Sequence, residues 1–200
     1  MKKLITIALL VAAANLGYSQ GTVNFNTAQS ANSTIKYAAG TTLGGASGTK
    51  IDGSAHPTAQ AAIYAGAAGS TEAQLVFVAP ASGFASGATA GYITLGSVTI
   101  PFLAQGAGAV IQIRAWDALT STASTYAQAL TINGAYVGKS QLYNISSLGG
   151  PGDPNNGIPP ATPATIPSQV GFSIAPVPEP STIALGFLGL GGLLFWRRKK

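Results

Sequence analysis

Short apolar stretches rich in β-branched residues recur along the middle of the chain, and glycine, serine, threonine or proline separates each one from the next. None of them keeps the period of an amphipathic helix, so the pattern restricts this region to a fold of short strands. The stretch 109–116 shows the alternation of a strand most clearly. Ile111, Ile113 and Ala115 should face one way there, and the intervening residues should face the other way.

The number and spacing of these stretches predict an all-β fold. We expect an antiparallel β-sandwich of about nine short strands, because turn residues interrupt the chain at the intervals typical of such sandwiches. The predicted strands are 21–26, 33–39, 60–65, 74–79, 91–102, 109–117, 125–132, 136–146 and 169–175.

The charged residues are few and lie mostly at the two ends of the chain. Ten lysines and arginines stand against five acidic residues, which gives a formal net charge of +5, yet only 8% of all residues are charged. Lys2, Lys3 and the cluster at 197–200 hold the excess, and residues 20–177 between them carry four basic and four acidic residues. The basic character of the chain therefore gives no support for a nucleic-acid partner.

The composition also excludes several kinds of site. The chain has no cysteine, which excludes disulfides, thiol catalysis and cysteine-based zinc sites. A single histidine excludes metal sites that need several. We expect no metal and no cofactor.

The N-terminal segment 1–19 has the parts of a secretory signal peptide in their usual order. Lys2 and Lys3 precede an apolar run that is too short to span a bilayer. Gly17 and Ser19 then occupy the small-residue positions of a cleavage site. We predict that signal peptidase cuts after Ser19 and leaves Gln20 as the first residue of the exported protein.

The segment 181–196 predicts a single transmembrane helix. It is uncharged and mostly apolar, and Ser181 is suited to cap the helix after Pro180. The run is short for a hydrocarbon core of about 30 Å, although snorkelling basic side chains can extend it. By the positive-inside rule the basic tail should stay cytoplasmic and residues 20–177 should lie outside the inner membrane. This tail consists of Arg197, Arg198, Lys199 and Lys200.

The C-terminal segment 178–200 resembles the PEP-CTERM sorting signal of Gram-negative bacteria. The resemblance rests on the tripeptide Pro178, Glu179 and Pro180, followed by a short glycine-rich apolar helix and a terminal basic cluster. It implies that an exosortase, a membrane-embedded transpeptidase-like enzyme, recognises the tripeptide and removes the segment near it. The protein would then start as an inner-membrane-anchored precursor and finish at the cell surface or in the extracellular matrix.

Three internal segments are similar to parts of secreted proteins from Verrucomicrobia that carry the same ending. They are Gly21–Phe25, Ala61–Gly66 and Ile111–Ala118. This resemblance bears on fold and location.

The chain thus divides into a signal peptide at 1–19, an exported β-sandwich at 20–177 and the sorting signal at 178–200. Proline and glycine concentrate after residue 149, so we predict a long irregular loop at 149–167. A closing proline-containing stretch, 176–180, would act as a spacer from the membrane.

Residues that could carry chemistry are scarce. His56 lies four residues after Asp52, which could orient it or share a metal, but the turn-like surroundings favour an ordinary loop histidine. The segment 153–157 has the oxygen-rich composition of a calcium loop, but it lacks the spacing of an EF-hand and is better explained as a turn. A glycosidase carboxylate pair would have to come from Asp52, Glu72, Asp117 and Asp153.

Three functions remain open at this stage. The first is a non-enzymatic surface or extracellular-matrix protein, associated with a biofilm or an exopolysaccharide. The second is a carbohydrate-binding or adhesive β-sandwich with a sugar-stacking aromatic face, and the third is a secreted hydrolase. The candidates for the aromatic face are Trp116, Tyr92, Tyr126, Tyr136 and Tyr143.

Overall fold

The computed structural model describes residues 20–29, 32–39, 48–119, 122–154, 157–167 and 169–177. Several predicted features lie outside the described residues. They are the signal peptide, the tripeptide Pro178, Glu179 and Pro180, the helix at 181–196 and the basic tail. None of the helices in the described ranges has the length and apolarity that a membrane crossing requires.

The described residues form two β-sheets with almost no helix, which confirms the all-β prediction. Strands and short helices alternate with turns along the chain. The strands are β1 (Gln20–Asn26), β2 (Lys36–Tyr37), β3 (Ala59–Ala67), β4 (Val76–Gly83), β5 (Thr94–Ala104), β6 (Ala109–Asp117), β7 (Tyr136–Lys139), β8 (Tyr143–Ile145), β9 (Ala164–Thr165) and β10 (Ser173–Pro176). Helical turns are the 3-10 segments Thr27–Gln29, Glu72–Gln74 and Gly87–Thr89, and the α-helical turn α1 (Tyr126–Ala129).

The smaller sheet has the order β5-β1-β9, and the larger one the order β2-β10-β7-β6-β3-β4, with β8 also paired to β6. The prediction of a purely antiparallel fold was wrong, because β9 runs parallel to β1 and β2 runs parallel to β10. Both parallel pairs are only two residues long, and both join segments that lie far apart in the sequence.

The two sheets share one hydrophobic core. Val23 and Ile100 of the smaller sheet belong to the same buried cluster as Ile63 and Ile111 of the larger sheet. A second cluster covers the opposite face of the larger sheet and contains Trp116, with the segment 123–132 packed over it. The alternation predicted for β6 is confirmed, since Ile111, Ile113 and Ala115 face the shared core.

A strand was predicted at 125–132, and this prediction was wrong. The Thr125 side chain accepts a hydrogen bond from the Gln128 backbone N–H at 3.3 Å and caps α1. Ala129, fully buried, then packs against the second cluster. Propensity alone pointed to a strand here, but the need to cover Trp116 decides the local conformation.

The predicted strand at 136–146 is divided in two by Ser140. Its hydroxyl accepts a hydrogen bond from the Ile113 N–H at 3.0 Å, so a side chain replaces the backbone in the ladder at this point. As a result β7 and β8 lie one after the other along β6.

The described residues of the segment 149–167, which exclude 155 and 156, form more regular pairing than the predicted irregular loop. Gly149 exchanges two backbone hydrogen bonds with Thr22, and Gly150 exchanges two with Ala161. β9 then joins the smaller sheet. The proposed spacer also begins later than predicted, because Pro176 still pairs with Tyr136.

We predict that Gly149→Ala destabilises the fold, because a Cβ at this position would overlap the carbonyl oxygen of Thr162. The loss should be about 1–3 kcal/mol, as for other overpacking changes. Urea unfolding of the purified exported protein measures it. Gly83→Ala is the control, since the nearest atom to its added Cβ is 3.9 Å away. Equal losses in the two variants would contradict the prediction.

Candidate functional site

The described part of the chain holds one fully buried carboxylate, that of Asp117 at the end of β6. Its Oδ2 accepts a hydrogen bond from the Tyr37 hydroxyl at 2.6 Å, and its Oδ1 accepts one from the Thr58 hydroxyl at 2.6 Å. The Leu119 N–H donates to Oδ1 at 3.0 Å. His56 Nδ1 lies 3.3 Å from Oδ2. These donors satisfy a group whose burial would otherwise be costly.

Three separate parts of the chain deliver these donors. Tyr37 ends β2, and Thr58 immediately precedes β3, whose first residue Ala59 pairs with Asp117. His56 is held in its turn by two backbone bonds, from its N–H to the Asp52 carbonyl and from the Ala59 N–H to its own carbonyl.

Leu119 completes the site from the other side. Its backbone φ is +58°, which a non-glycine residue seldom adopts, and its N–H points back to Asp117. The bond to the carboxylate offsets the local strain.

The Tyr37 ring is enclosed by other aromatic groups. It lies 4.9 Å from the His56 ring and 5.4 Å from that of Tyr136, the latter edge-on. Burial raises the pKa of Tyr37 above its usual range, and the hydrogen bond to Asp117 raises it further. Tyr37 therefore stays protonated and remains a donor to the carboxylate.

This arrangement resembles the orienting half of a catalytic triad in one respect only. Nδ1 of His56 faces a buried carboxylate, which leaves Nε2 for other partners. Among the described residues, however, the His56 ring has no hydroxyl group hydrogen-bonded to it, and its side chain is 19% exposed. What the geometry does directly is to lock the turn at 52–58 and β2 onto the end of β6.

Asp52, which the sequence offered only as the disfavoured alternative partner of the His56 ring, has other partners. The Asp52 carboxylate instead accepts the backbone N–H of Ser54 at 2.8 Å and that of Gly87 at 3.0 Å. These bonds hold the pKa of Asp52 below its ordinary value, and the bond from Gly87 contributes most. Asp52 therefore connects two loops.

A second polar cluster lies on the face of the larger sheet that is opposite to the shared core. The Arg114 guanidinium lies over the Tyr64 ring at 4.1 Å and near the Tyr126 ring at 5.6 Å. It donates to the side chain of Gln112 at 2.8 Å and to the backbone carbonyl of Glu72 at 3.2 Å. Burial raises the pKa of both tyrosines.

Arg114 and Lys139 stand directly opposite each other on β6 and β7, which would be unfavourable for two cations alone. Glu72 relieves this repulsion, because its carboxylate accepts a hydrogen bond from the Lys139 ammonium at 2.5 Å. The bond to Lys139 is also the main reason why the pKa of Glu72 lies below its ordinary value.

The aromatic face that the sequence left open as an alternative does not form among these residues. Trp116 is fully buried and donates its indole N–H to the Ala123 carbonyl at 2.8 Å. Tyr136 and Tyr143 are buried as well, and the Tyr143 hydroxyl bonds to the backbone of Val170. Tyr92 and Tyr126 are half-buried.

The four acidic residues considered for a glycosidase carboxylate pair occupy different surroundings. Asp52 joins two loops, Glu72 pairs with Lys139, and Asp117 is enclosed as described. Asp153 is buried, and its backbone pairs with that of Ile158. Among the residues that the structure describes, histidine and acidic side chains form no group of three that could hold a metal ion. Part of the calcium-like segment at 153–157 lies outside them.

The importance of Asp117 was missed in the sequence. The available signal was an aspartate that directly follows the buried run of β6, at a point where an exposed strand end was the ordinary expectation. Its partners Tyr37 and Thr58 are 80 and 59 residues away, so no local pattern connects them.

Comparison with known proteins identifies the C-terminal segment. Residues 176–199 match the family model of the PEP-CTERM protein-sorting motif, which confirms the resemblance described above. The chain therefore carries a PEP-CTERM sorting motif, which implies sorting to the cell surface by exosortase. Neither the curated proteins nor the solved structures contain a match to the chain.

We predict that Asp117→Asn lowers the free energy of unfolding by about 3 kcal/mol, because an amide cannot accept all the donors that converge on the buried carboxylate. Chemical denaturation of the exported protein at neutral pH measures this loss. Asp52→Asn is the matched control and should cost clearly less, since Asp52 is accessible to water. If both variants unfold at the same denaturant concentration, Asp117 does not hold these segments together.

We also predict that Lys139→Met raises the pKa of Glu72 toward its ordinary value. A carboxyl with a lowered pKa in the folded state contributes stability above its ordinary pKa, and this contribution disappears as the pH falls through the folded-state value. The wild-type advantage over the variant should thus be present at about pH 7 and vanish at about pH 2.

An NMR titration of the Glu72 carboxyl carbon measures the pKa, and unfolding at the two pH values measures the stability. Lys50→Met is the control, because it removes a cation with a different neighbour. The Lys50 ammonium lies 5.6 Å from the centre of the Tyr92 ring. An unchanged Glu72 pKa in Lys139→Met would contradict the prediction.

Proposed function

We propose that this protein is an exported, non-catalytic component of the cell surface or extracellular matrix, released from the inner membrane by exosortase. The match to the sorting motif at 176–199 is the observation that carries the proposal. The predicted signal peptide at 1–19 supports it, since the motif requires export first.

The described part of the exported region supports a structural role. Its chemically reactive side chains are engaged in internal contacts: Asp117 with three donors and His56, and Glu72 with Lys139. Trp116, the largest aromatic candidate for sugar stacking, is buried and hydrogen-bonded. Such a domain is suited to act through its overall surface.

That surface has few charges and many small polar residues. We infer that the partner on the outside is a hydrated polymer such as an exopolysaccharide, which can form many weak hydrogen bonds without ionic contacts. The His56–Asp117 contact is the single observation that favours the alternative of a secreted hydrolase. The missing hydroxyl partner of the His56 ring, among the described residues, argues against a serine-type mechanism.

The sorting step can be tested by intact-mass analysis of the full chain expressed in its host with and without the exosortase gene. We expect the wild-type product to begin at Gln20 and to lack Trp196 and the basic tail. Alanine in place of Pro178, Glu179 and Pro180 should keep the C-terminal segment attached and the protein in the membrane fraction.

Pro160→Ala is the matched control, because it changes an exposed proline outside the motif and should be processed normally. A wild-type product that still carries Trp196 would overturn the proposal. Co-sedimentation of the released protein with the host's matrix polysaccharide then tests the proposed partner. A hydrolytic activity of the wild-type protein that is lost in His56→Ala would instead support the secreted hydrolase.

A further inference from the structure

The outer edge of β5 is the longest strand edge without a neighbour in the part of the chain that the structure describes. β5 (Thr94–Ala104) has 11 residues, ends the smaller sheet and pairs with β1 alone. Of the other edge strands, β4 has eight residues, and β2 and β9 have two residues each. An exposed row of backbone N–H and C=O groups is a template for a further strand.

The hydrogen bonds of β1 show which groups of β5 point outward. The N–H and C=O of Thr22 both bond to Gly149, so they point away from β5. In an antiparallel pair such a residue lies opposite one whose own backbone groups also point away. Thr22 pairs with Thr99, and Asn24, of the same parity, pairs with Ser97. The N–H and C=O groups of Ser97 and Thr99 therefore face the open edge.

The protection that natural proteins give to edge strands is weak here. Proteins usually place lysine or other charges on such edges or cover them with other chain segments. The β2 edge is covered, since the backbone of Tyr37 bonds to those of Gly48 and Thr49. The β5 strand has no charged residue. Its guards lie at the two ends: Pro101 removes a single outward N–H, and the pairing with β1 shifts register on either side of Gly96–Ile100, which leaves this central part regular.

Electrostatic repulsion between copies is also absent. Residues 20–177 contain four cations, Lys36, Lys50, Arg114 and Lys139, and four anions, Asp52, Glu72, Asp117 and Asp153. A neutral domain pays no Coulomb cost when it meets itself.

We propose that β5 pairs antiparallel with β5 of a second copy, about a two-fold axis at Val98. In this register Ser97 exchanges backbone hydrogen bonds with Thr99 of the partner copy, and Thr99 does so with Ser97 of the partner copy, so the outward groups of both residues are matched. The two smaller sheets become one continuous sheet.

The exposed apolar side chains of β5 favour this register. Leu95, 36% exposed, lies three residues before Val98, and Phe102, 45% exposed, lies four residues after it. Antiparallel pairing about Val98 places Leu95 of each copy opposite Pro101 of the other, with Phe102 at the next position along the strand. Each apolar end thus finds a partner that a monomer lacks.

The absence of cysteine allows a direct test by cross-linking. The full chain is expressed in its host as two differently tagged variants, Ser97→Cys and Thr99→Cys, alone and together. Directly opposite residues have Cα atoms about 5.5 Å apart, within the span of a disulfide, whereas two Ser97 positions are diagonal and about 7–8 Å apart.

We expect a disulfide-linked product only when both variants are present. Ser124→Cys, an exposed position outside β5, is the control and should link to neither variant. The proposal is overturned if the mixture gives no linked product, or if Ser97→Cys links to itself as well as it links to Thr99→Cys.

A second measurement uses the exported protein without cysteines. Thr99→Pro removes an outward N–H and leaves the bonds of Val98 to β1 intact, while Thr99→Val keeps the N–H. Sedimentation equilibrium should show that Thr99→Pro weakens self-association by about tenfold or more and that Thr99→Val does not. A wild-type protein that stays monomeric at millimolar concentration refutes the proposal, whether or not sorting proceeds as proposed above.

Discussion

The nine-residue antiparallel ladder between β3 and β6 is the interaction on which the rest of the structure depends. β6 is buried on both faces: Ile111 and Ile113 enter the core shared with the smaller sheet, and Trp116 enters the second cluster. Because both faces are covered, β7 and β8 can only be added along its free edge, and both of them pair there. The position of Asp117, and hence the buried polar site, follows from where this strand ends.

The scarcity of charge makes internal polar contacts more important than surface ion pairs. With no disulfide, the described region is held together by burial and by side chains that replace backbone partners, such as Ser140 opposite Ile113. The buried carboxylate of Asp117 connects the end of β6 to β2 and to the turn that precedes β3. Arg114 joins the second cluster to the Glu72 turn in a similar way. In each case one polar side chain connects segments that are distant in sequence.

The sequence predicted features that depend on local alternation and missed those that depend on distant partners. The alternation in 109–116 located β6 and both of its faces, because a strand buried on two sides still alternates between two environments. The α1 turn was missed because covering Trp116, a tertiary requirement, overrides the strand propensity of 125–132. The parallel pairs of β2 and β9 were missed because a two-residue strand has no period. The Asp117 site was missed because Tyr37 and Thr58 reach it only through the sheet topology.

The fold leaves little chain between the last strand and the sorting signal. β10 ends at Pro176, and the N–H of Val177 still donates to the Ala135 carbonyl at 2.7 Å. The tripeptide proposed as the recognition element begins at the next residue, so an enzyme that bound Pro178, Glu179 and Pro180 in an extended form would have to approach the folded sheet itself. β10 is held by only two residue pairs with β7 and two with β2, so opening its end exposes more chain at modest cost. The short terminal strand is therefore compatible with the proposed removal of the C-terminal segment from an already folded domain.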